Sequence, residues 1–467
     1  MKFWLFPLVL CLNSPFLVFA DRFICAGTPA QETVAMAGKA AAKSLWQAKT
    51  GTRSAIVIFA QFRDEDPGWG GVPAWGGDIF DPEIPGGFSH FYDTMSARSL
   101  KVRGKVASRV YTSADKAGAY LADDPTEYGD FARFSEELLR QADGDIDFSG
   151  FDNDGPDGIP NSGDDDGSVD AVFIVLASVP RNFLLGGATG VGWLGGGRFA
   201  TDDLRRSGEP IYIEPGKGTI QQGRNYAETM GAMCHEYGHL LGLPDLYNTD
   251  FLYKKDASPA EDSAGIGAWG LMGWGALGWN GNDGPNSFCA WSRAQLGWIQ
   301  VVETSVQEQE IDLGNVNSGG NIFKVPMGPR EYLLLVHRRR NGNYYDRHLP
   351  GEGLLIWHVN PRAPSIGILP GWRLDLECAD GRWLDAGYPR GEQPGPEYGE
   401  DNLDFWAHSA VYAEQHAGNL GDATDVFDGV RFQAFTPGTN PSSHGSDGRA
   451  TVRVEEIRLH EDRMRAI

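Results

Sequence analysis

Two histidines four residues apart, with a glutamate between them and a glycine and a proline close behind, constrain this chain more than any other feature. The segment reads Cys234-His235-Glu236-Tyr237-Gly238-His239-Leu240-Leu241-Gly242-Leu243-Pro244-Asp245. On a helix, His235 and His239 stand one turn apart and project from the same face, so two imidazoles can hold one ion. Glu236 is one step round the helix, near enough to reach a water at that ion but poorly placed to bind it. This is the arrangement of a general base beside an open zinc site. Gly242 can take a positive φ and end the helix, and Pro244 forbids its continuation. The chain then turns back, and Asp245 is the expected third ligand. Cys234 adjoins the first ligand but points off the ligand face, and it reads as structural.

The rest of the sequence predicts an α+β protein. A body with a twisted sheet and the active-site helix is expected, followed by a β-rich C-terminal part. Residues 55–60 (AIVIFA) and 171–176 (AVFIVL) are short continuous apolar runs, the pattern of strands buried on both faces. Residues 100–111 alternate like a half-exposed strand, whereas 127–142, 226–241 and 288–297 read as helices. From about residue 301 the texture changes to strand-like runs at 321–326, 331–337, 353–359, 430–435 and 450–458. The expected division is a signal peptide over 1–20, a leader or short pro-segment over 21–50, a catalytic domain over 51–300 and a β-rich subdomain over 301–467.

Lys2, the mostly apolar stretch from Phe3 to Phe19, and Val18-Phe19-Ala20 before Asp21 form an export signal with its cleavage site. Pro7, Asn13, Ser14 and Pro15 interrupt the stretch and make it a poor membrane span. A secreted or extracytoplasmic protein is expected. The 40 Lys+Arg against 63 Asp+Glu give a formal charge of −23, which argues against nucleic-acid or anionic-membrane partners. The basic run His337-Arg338-Arg339-Arg340 is expected at the surface, paired with the acidic body. Cys25, Cys234, Cys289 and Cys378 remain after the signal peptide; they are expected to staple the fold or sit buried rather than bind metal. Trp269, Trp274 and Trp279, beside tight glycine turns, are expected to pack inside.

A second candidate site lies in the acidic stretch 143–170, where Asp152, Asp154 and Asp157 are the expected ligands of a calcium ion. Carboxylates on near-alternate residues with glycines between them can wrap a hard cation. Charges this dense repel one another unless a cation sits among them. The spacing is only partly EF-hand-like, and no glutamate closes the loop.

The segment 235–247 (HEYGHLLGLPDLY) resembles the zinc motif of the immune inhibitor A family of secreted bacterial metallopeptidases, within the metzincin group. Residues 265–273 (GIGAWGLMG) resemble that family's Met-turn, and 290–298 (AWSRAQLGW) its following helix. Residues 349–360 (LPGEGLLIWHVN) resemble a strand of its C-terminal region, and 379–382 and 435–437 do so more weakly. The likeness covers roughly residues 52–460. It implies a metzincin-like body, a Met-turn at Met272 beneath the zinc, and protein or peptide substrates. Where the family often has Glu-Asn-Arg, this chain has Val336-His337-Arg338, so any role of that acid is absent. The function expected is a secreted zinc endopeptidase with Glu236 as its base. The rival is a catalytically silent, calcium-dependent extracellular binding protein on the same fold, against which the intact Glu236 argues.

Overall fold

The computed structural model of the chain describes residues 23–27, 49–255, 264–305, 308–360, 373–381, 411 and 418–467. The expected signal peptide, most of the leader, and Arg382 lie outside the described residues. No helix among the described residues is long and apolar enough to cross a membrane.

Helices and sheet strands together make an α+β architecture. The strands of the N-terminal part are β1 (Gly51–Gln61), β2 (Leu100–Val106), β3 (Tyr111–Thr112), β4 (Ala171–Leu176), β5 (Gly190–Val191), β6 (Phe199–Leu204), β7 (Pro210–Ile213) and β8 (Gly218–Gln222). The main sheet runs β2-β1-β4-β8-β5, with β3 pairing the far end of β1. All its pairings are parallel except that of β5 with β8. The helices are α1 (Phe88–Met95), α2 (Phe131–Asp143), α3 (Tyr226–Leu240), α4 (Asp250–Tyr253) and α5 (Ala290–Leu296).

The two apolar runs are buried on both faces because a strand sends successive side chains to opposite sides. Ala55, Val57 and Phe59 of β1, with Ala171, Phe173 and Val175 of β4, face one cluster that includes Met230, Met233 and Tyr237 of α3. Ile56, Ile58 and Ala60, with Val172, Ile174 and Leu176, face another that includes Phe134, Leu138 and Leu139 of α2. A helix therefore covers each face of the sheet, and α3 is held rigidly against it.

The later strands are β9 (Val301–Glu303), β10 (Ile311–Leu313), β11 (Ile322–Pro326), β12 (Tyr332–Arg338), β13 (Gly353–Asn360), β14 (Arg373–Leu376), β15 (Arg458–His460) and β16 (Arg463–Ala466). They form a five-stranded sheet, β14-β13-β12-β11-β9, and a three-stranded one, β10-β16-β15. Leu334 and Val336 of β12, with Leu355 and Trp357 of β13, share the buried cluster of α3. Leu333, Leu335, Leu354 and Ile356 point the other way, towards β10 and β16. The C-terminal sheet thus packs into the same core as α3.

Two expectations are corrected. Residues 430–435 and 450–458 are not strands apart from the isolated Phe435–Val454 and His444–Ala450 bridges and the start of β15. Asp428 Oδ1 accepts the backbone N–H of Val430 and Arg431 at 2.9 and 2.8 Å, so a side-chain turn competes with ladder pairing there. The basic run is not a surface feature throughout. His337 and Arg338 are buried, and Arg338 pairs with buried Asp346 at 2.5 Å while donating to Trp269 O. Of the two alternatives for the cysteines, burial is the one found: Cys25, Cys234, Cys289 and Cys378 are all buried, and no disulfide joins the described residues.

Candidate metal centre

Helix α3 starts where a side chain can satisfy its free N–H groups. Asn225 caps it, accepting from Glu228 N at 3.0 Å. The helix stops where glycine permits a left-handed residue: Gly242 has φ 87°. Gly242 N–H donates to His239 O at 2.8 Å and Leu243 N–H to Gly238 O at 3.1 Å, the paired bonds of a Schellman motif. This turn reverses the chain and brings Asp245 back over the helix.

Three ligand atoms converge as a result. His235 Nε2 lies 3.0 Å from Asp245 Oδ1, and His239 Nε2 lies 3.6 Å from the same oxygen. Both rings use their other nitrogen on a backbone carbonyl. His235 Nδ1 donates to Leu271 O at 2.9 Å, and His239 Nδ1 to Leu243 O at 2.8 Å. A carbonyl can only accept, so each Nδ1 carries a proton and each Nε2 faces inward, where a neutral ring would offer a lone pair. Two lone pairs facing a carboxylate oxygen are mutually repulsive unless a proton or a cation lies between them. All three side chains are buried. Burial alone would raise the carboxyl of Asp245, yet His239 and His235 hold it below its usual range.

Glu236 stands beside this group, fully buried, and burial pushes its carboxyl up to about 8. Its Oε1 and the Oδ2 of Asp245 have no hydrogen-bond partner among the described residues. Gly190 of β5 approaches so closely that a Cβ there would meet Glu236 Oε1 at 2.2 Å. The edge strand therefore passes directly against the glutamate. Met272 lies below: its sulfur fills the space over Gly238, where a Cβ would come within 2.5 Å of it, and its carbonyl accepts from Leu246 N at 2.8 Å. Of the nearby tryptophans, Trp269 is fully buried and donates from Nε1 to Asp425 Oδ2 at 2.6 Å, whereas Trp274 packs on Tyr247.

A fourth candidate ligand atom was missed in the sequence. Cys25, Sγ 3.2 Å from His239 Nε2, completes a group of Cys25, His235, His239 and Asp245 whose ligand atoms all lie within 4.8 Å of one another. Tetrahedral zinc with bonds of about 2.0–2.3 Å sets its ligands roughly 3.3–3.8 Å apart, so the donor set and its size suit that ion. Cys25 is 214 residues from His239 in the chain, and no motif spacing links them.

In the acidic stretch, Asp152 and Asp154 come together with Asp170 at the start of β4, not with Asp157. Asp157 is exposed and its Oδ1 accepts from Ile159 N at 2.8 Å. Burial, with Asp165 and Asp166 close by, pushes the Asp152 carboxyl up to about 7; burial pushes Asp170 up to about 8. Sequence spacing favoured the glycine-rich loop and overlooked the aspartate that a core strand fixes. Asp380, Asp422 and Asp425 form another acidic group, beside Trp269.

Residues 79–302 match the catalytic domain of immune inhibitor A peptidase M6. The chain is 28% identical to immune inhibitor A of Bacillus thuringiensis subsp. alesti over 216 residues, 40% of this chain and 28% of the relative. It is 26% identical to the pre-pro-metalloprotease PrtV of Vibrio cholerae serotype O1 (strain M66-2) over 247 residues, 47% of this chain and 25% of that protein. The matches thus cover only about a quarter of each curated relative's length. Helix α3, its Schellman turn and the Met272 loop all fall inside the matched region, so the part of this chain that carries the candidate site is similar to the catalytic domain of the immune inhibitor A peptidases.

Proposed function

We propose that this chain is a secreted zinc-dependent endopeptidase with a metzincin-like catalytic body. The observation that carries the reading is the inward convergence of two Nε2 atoms and Asp245 Oδ1, with both Nδ1 protons engaged on carbonyls. His235, His239 and Asp245 would hold the zinc, and the unpartnered oxygens of Asp245 and Glu236 fit a site built around a cation. When bound, zinc supplies Lewis-acid chemistry, polarising a carbonyl and acidifying a water. Glu236 takes the proton of the attacking water and returns it to the leaving amine nitrogen. Its burial against Gly190 excludes bulk water from that transfer. Met272 supports the helix from below and does not touch substrate. Asp152, Asp154 and Asp170 are proposed to hold calcium, which offsets the cost of burying Asp152 and Asp170 as anions.

The test is Glu236→Gln assayed on casein, with zinc measured in the same preparation. Retained zinc with a loss of hydrolysis of at least about 100-fold is expected for removal of a general base. Unchanged hydrolysis would eliminate Glu236 from that role.

A further inference from the structure

Residues 23–27 occupy the site. Resting on the zinc-peptidase reading above, we infer that Cys25 is the fourth ligand of the metal in the resting chain, and that residues 23–27 are a built-in inhibitor laid along the substrate edge.

Backbone pairing places the segment. It runs parallel to β5, bridging Cys25 to Gly190. Thr189 N–H donates to Ile24 O at 2.7 Å and Ala26 N–H to Gly190 O at 2.8 Å. Strand β5 ends the order of the main sheet, and addition of an extended peptide to a sheet edge is a general mode of peptide recognition. The edge beside Glu236 is where a scissile peptide would have to lie, and the chain's own residues fill it.

Side chains then fix the segment in depth. Phe23 is buried edge-on against His235, with ring centroids 5.1 Å apart. Cys25 N–H donates to the Tyr247 hydroxyl at 3.3 Å, while the hydroxyls of Tyr128 and Tyr253 donate to Ala26 O at 2.9 and 3.2 Å. Gly27, at φ 73°, turns its N–H back onto Cys25 Sγ at 3.1 Å and so fixes the position of the sulfur. A cysteine serving only to pack would have apolar neighbours. Cys25 Sγ instead lies 3.2 Å from His239 Nε2 and 3.5 Å from Glu236 Oε2.

Sulfur in that place closes the position a catalytic zinc must keep open for water. On docking, the Cys25 S–H bond breaks, its proton passes to solvent, and a sulfur–metal bond forms. On release the sulfur–metal bond breaks, the sulfur regains a proton from solvent, and the position and Glu236 become accessible together. No change of oxidation state is involved.

The full chain, loaded with cobalt in place of zinc, tests this by a signal independent of activity. A thiolate-to-cobalt charge-transfer band in the near ultraviolet is expected in wild type and in Cys234→Ala, and its loss in Cys25→Ala and Cys25→Ser. With zinc, both Cys25 variants should hydrolyse casein at least about tenfold faster than wild type, as removal of a dominant closed state requires. Adding Glu236→Gln should remove that gain. A band that survives Cys25→Ala, or is lost without faster hydrolysis, overturns the proposal; cobalt bound one per chain and lost from His239→Ala would still leave the zinc site standing. Failure of wild type to bind cobalt would sink the underlying reading as well. Should neither Cys25 variant fold, absence of the sulfur band from wild type overturns the proposal, and its retention in Cys234→Ala supports it.

Discussion

Replacing Gly231 with alanine sets two effects of opposite sign against each other. Gly231 lies inside α3, where alanine is the better helix former by about 1 kcal/mol. By helix propensity alone the variant is more stable than wild type. In the tertiary structure, however, the new Cβ would meet Ala276 O at 2.0 Å and the Ala276 carbonyl carbon at 2.8 Å. A tolerable contact is about 3.4 Å, so the two segments must separate by roughly 1.4 Å, and the obstacle is backbone rather than a side chain that can swing away. Overpacking of this kind costs about 1–3 kcal/mol, and a backbone obstacle puts the cost at the upper end. The net expectation is a loss of about 2 kcal/mol. The displacement also reaches the metal centre. Residues 275–277 follow the Met272 loop, whose Leu271 O holds His235 Nδ1 at 2.9 Å. Loss of such an orienting contact typically weakens metal affinity by about 10–100-fold. Urea unfolding of the metal-free chain reads the first effect, and zinc retention after dialysis the second. Gly216→Ala, with nothing within 4 Å of its Cβ, serves as the control. A Gly231→Ala midpoint at or above that of wild type would refute the argument.

Asp245→Ala should lose zinc on dialysis while Asp250→Ala, whose exposed carboxylate pairs with Lys254, should keep it; equal retention moves the third ligand elsewhere. Calcium at a hundredfold excess over its Kd should stabilise the chain by about 2.7 kcal/mol, raising the melting temperature by a few degrees at constant zinc, and Asp154→Ala or Asp170→Asn should reduce the shift. Identical melting with and without calcium would leave the acidic stretch a solvated loop. Burial pushes His337 down to about 4 from its ordinary 6.5, so the unfolded chain binds a proton in that window and the folded chain does not. The contribution is present above pH 6.5 and is lost as pH falls through about 4, to a limit of about 3 kcal/mol. His337→Gln should therefore flatten the stability profile between those values, and an unchanged slope would count against it.

The sequence by itself determined the parts of this protein whose interactions are local or periodic. Residues 171–176 are the strand β4 as read, because a six-residue apolar run has no stable place except between two layers. The helix that carries the two histidines, expected over 226–241, runs over Tyr226–Leu240 and ends at Gly242 as anticipated. A helix places residues i and i+4 together whatever surrounds it, so His235 and His239 were legible, and the Gly-Leu-Pro turn made Asp245 so too. Strands β5 and β8 were not: β8, a polar GTIQQ segment, becomes a central strand only because β4 and β5 flank it. His337 and Arg338 look like surface charges until Asp346 and Leu313 O receive them inside. Asp170 replaces Asp157 in the acidic group because the sheet, rather than the loop's glycine spacing, fixes which carboxylates meet. Cys25 is the extreme case. Its meeting with His239 depends on a parallel bridge to Gly190 and three tyrosine hydroxyls from distant segments, which no local pattern encodes and only the closed tertiary structure brings together.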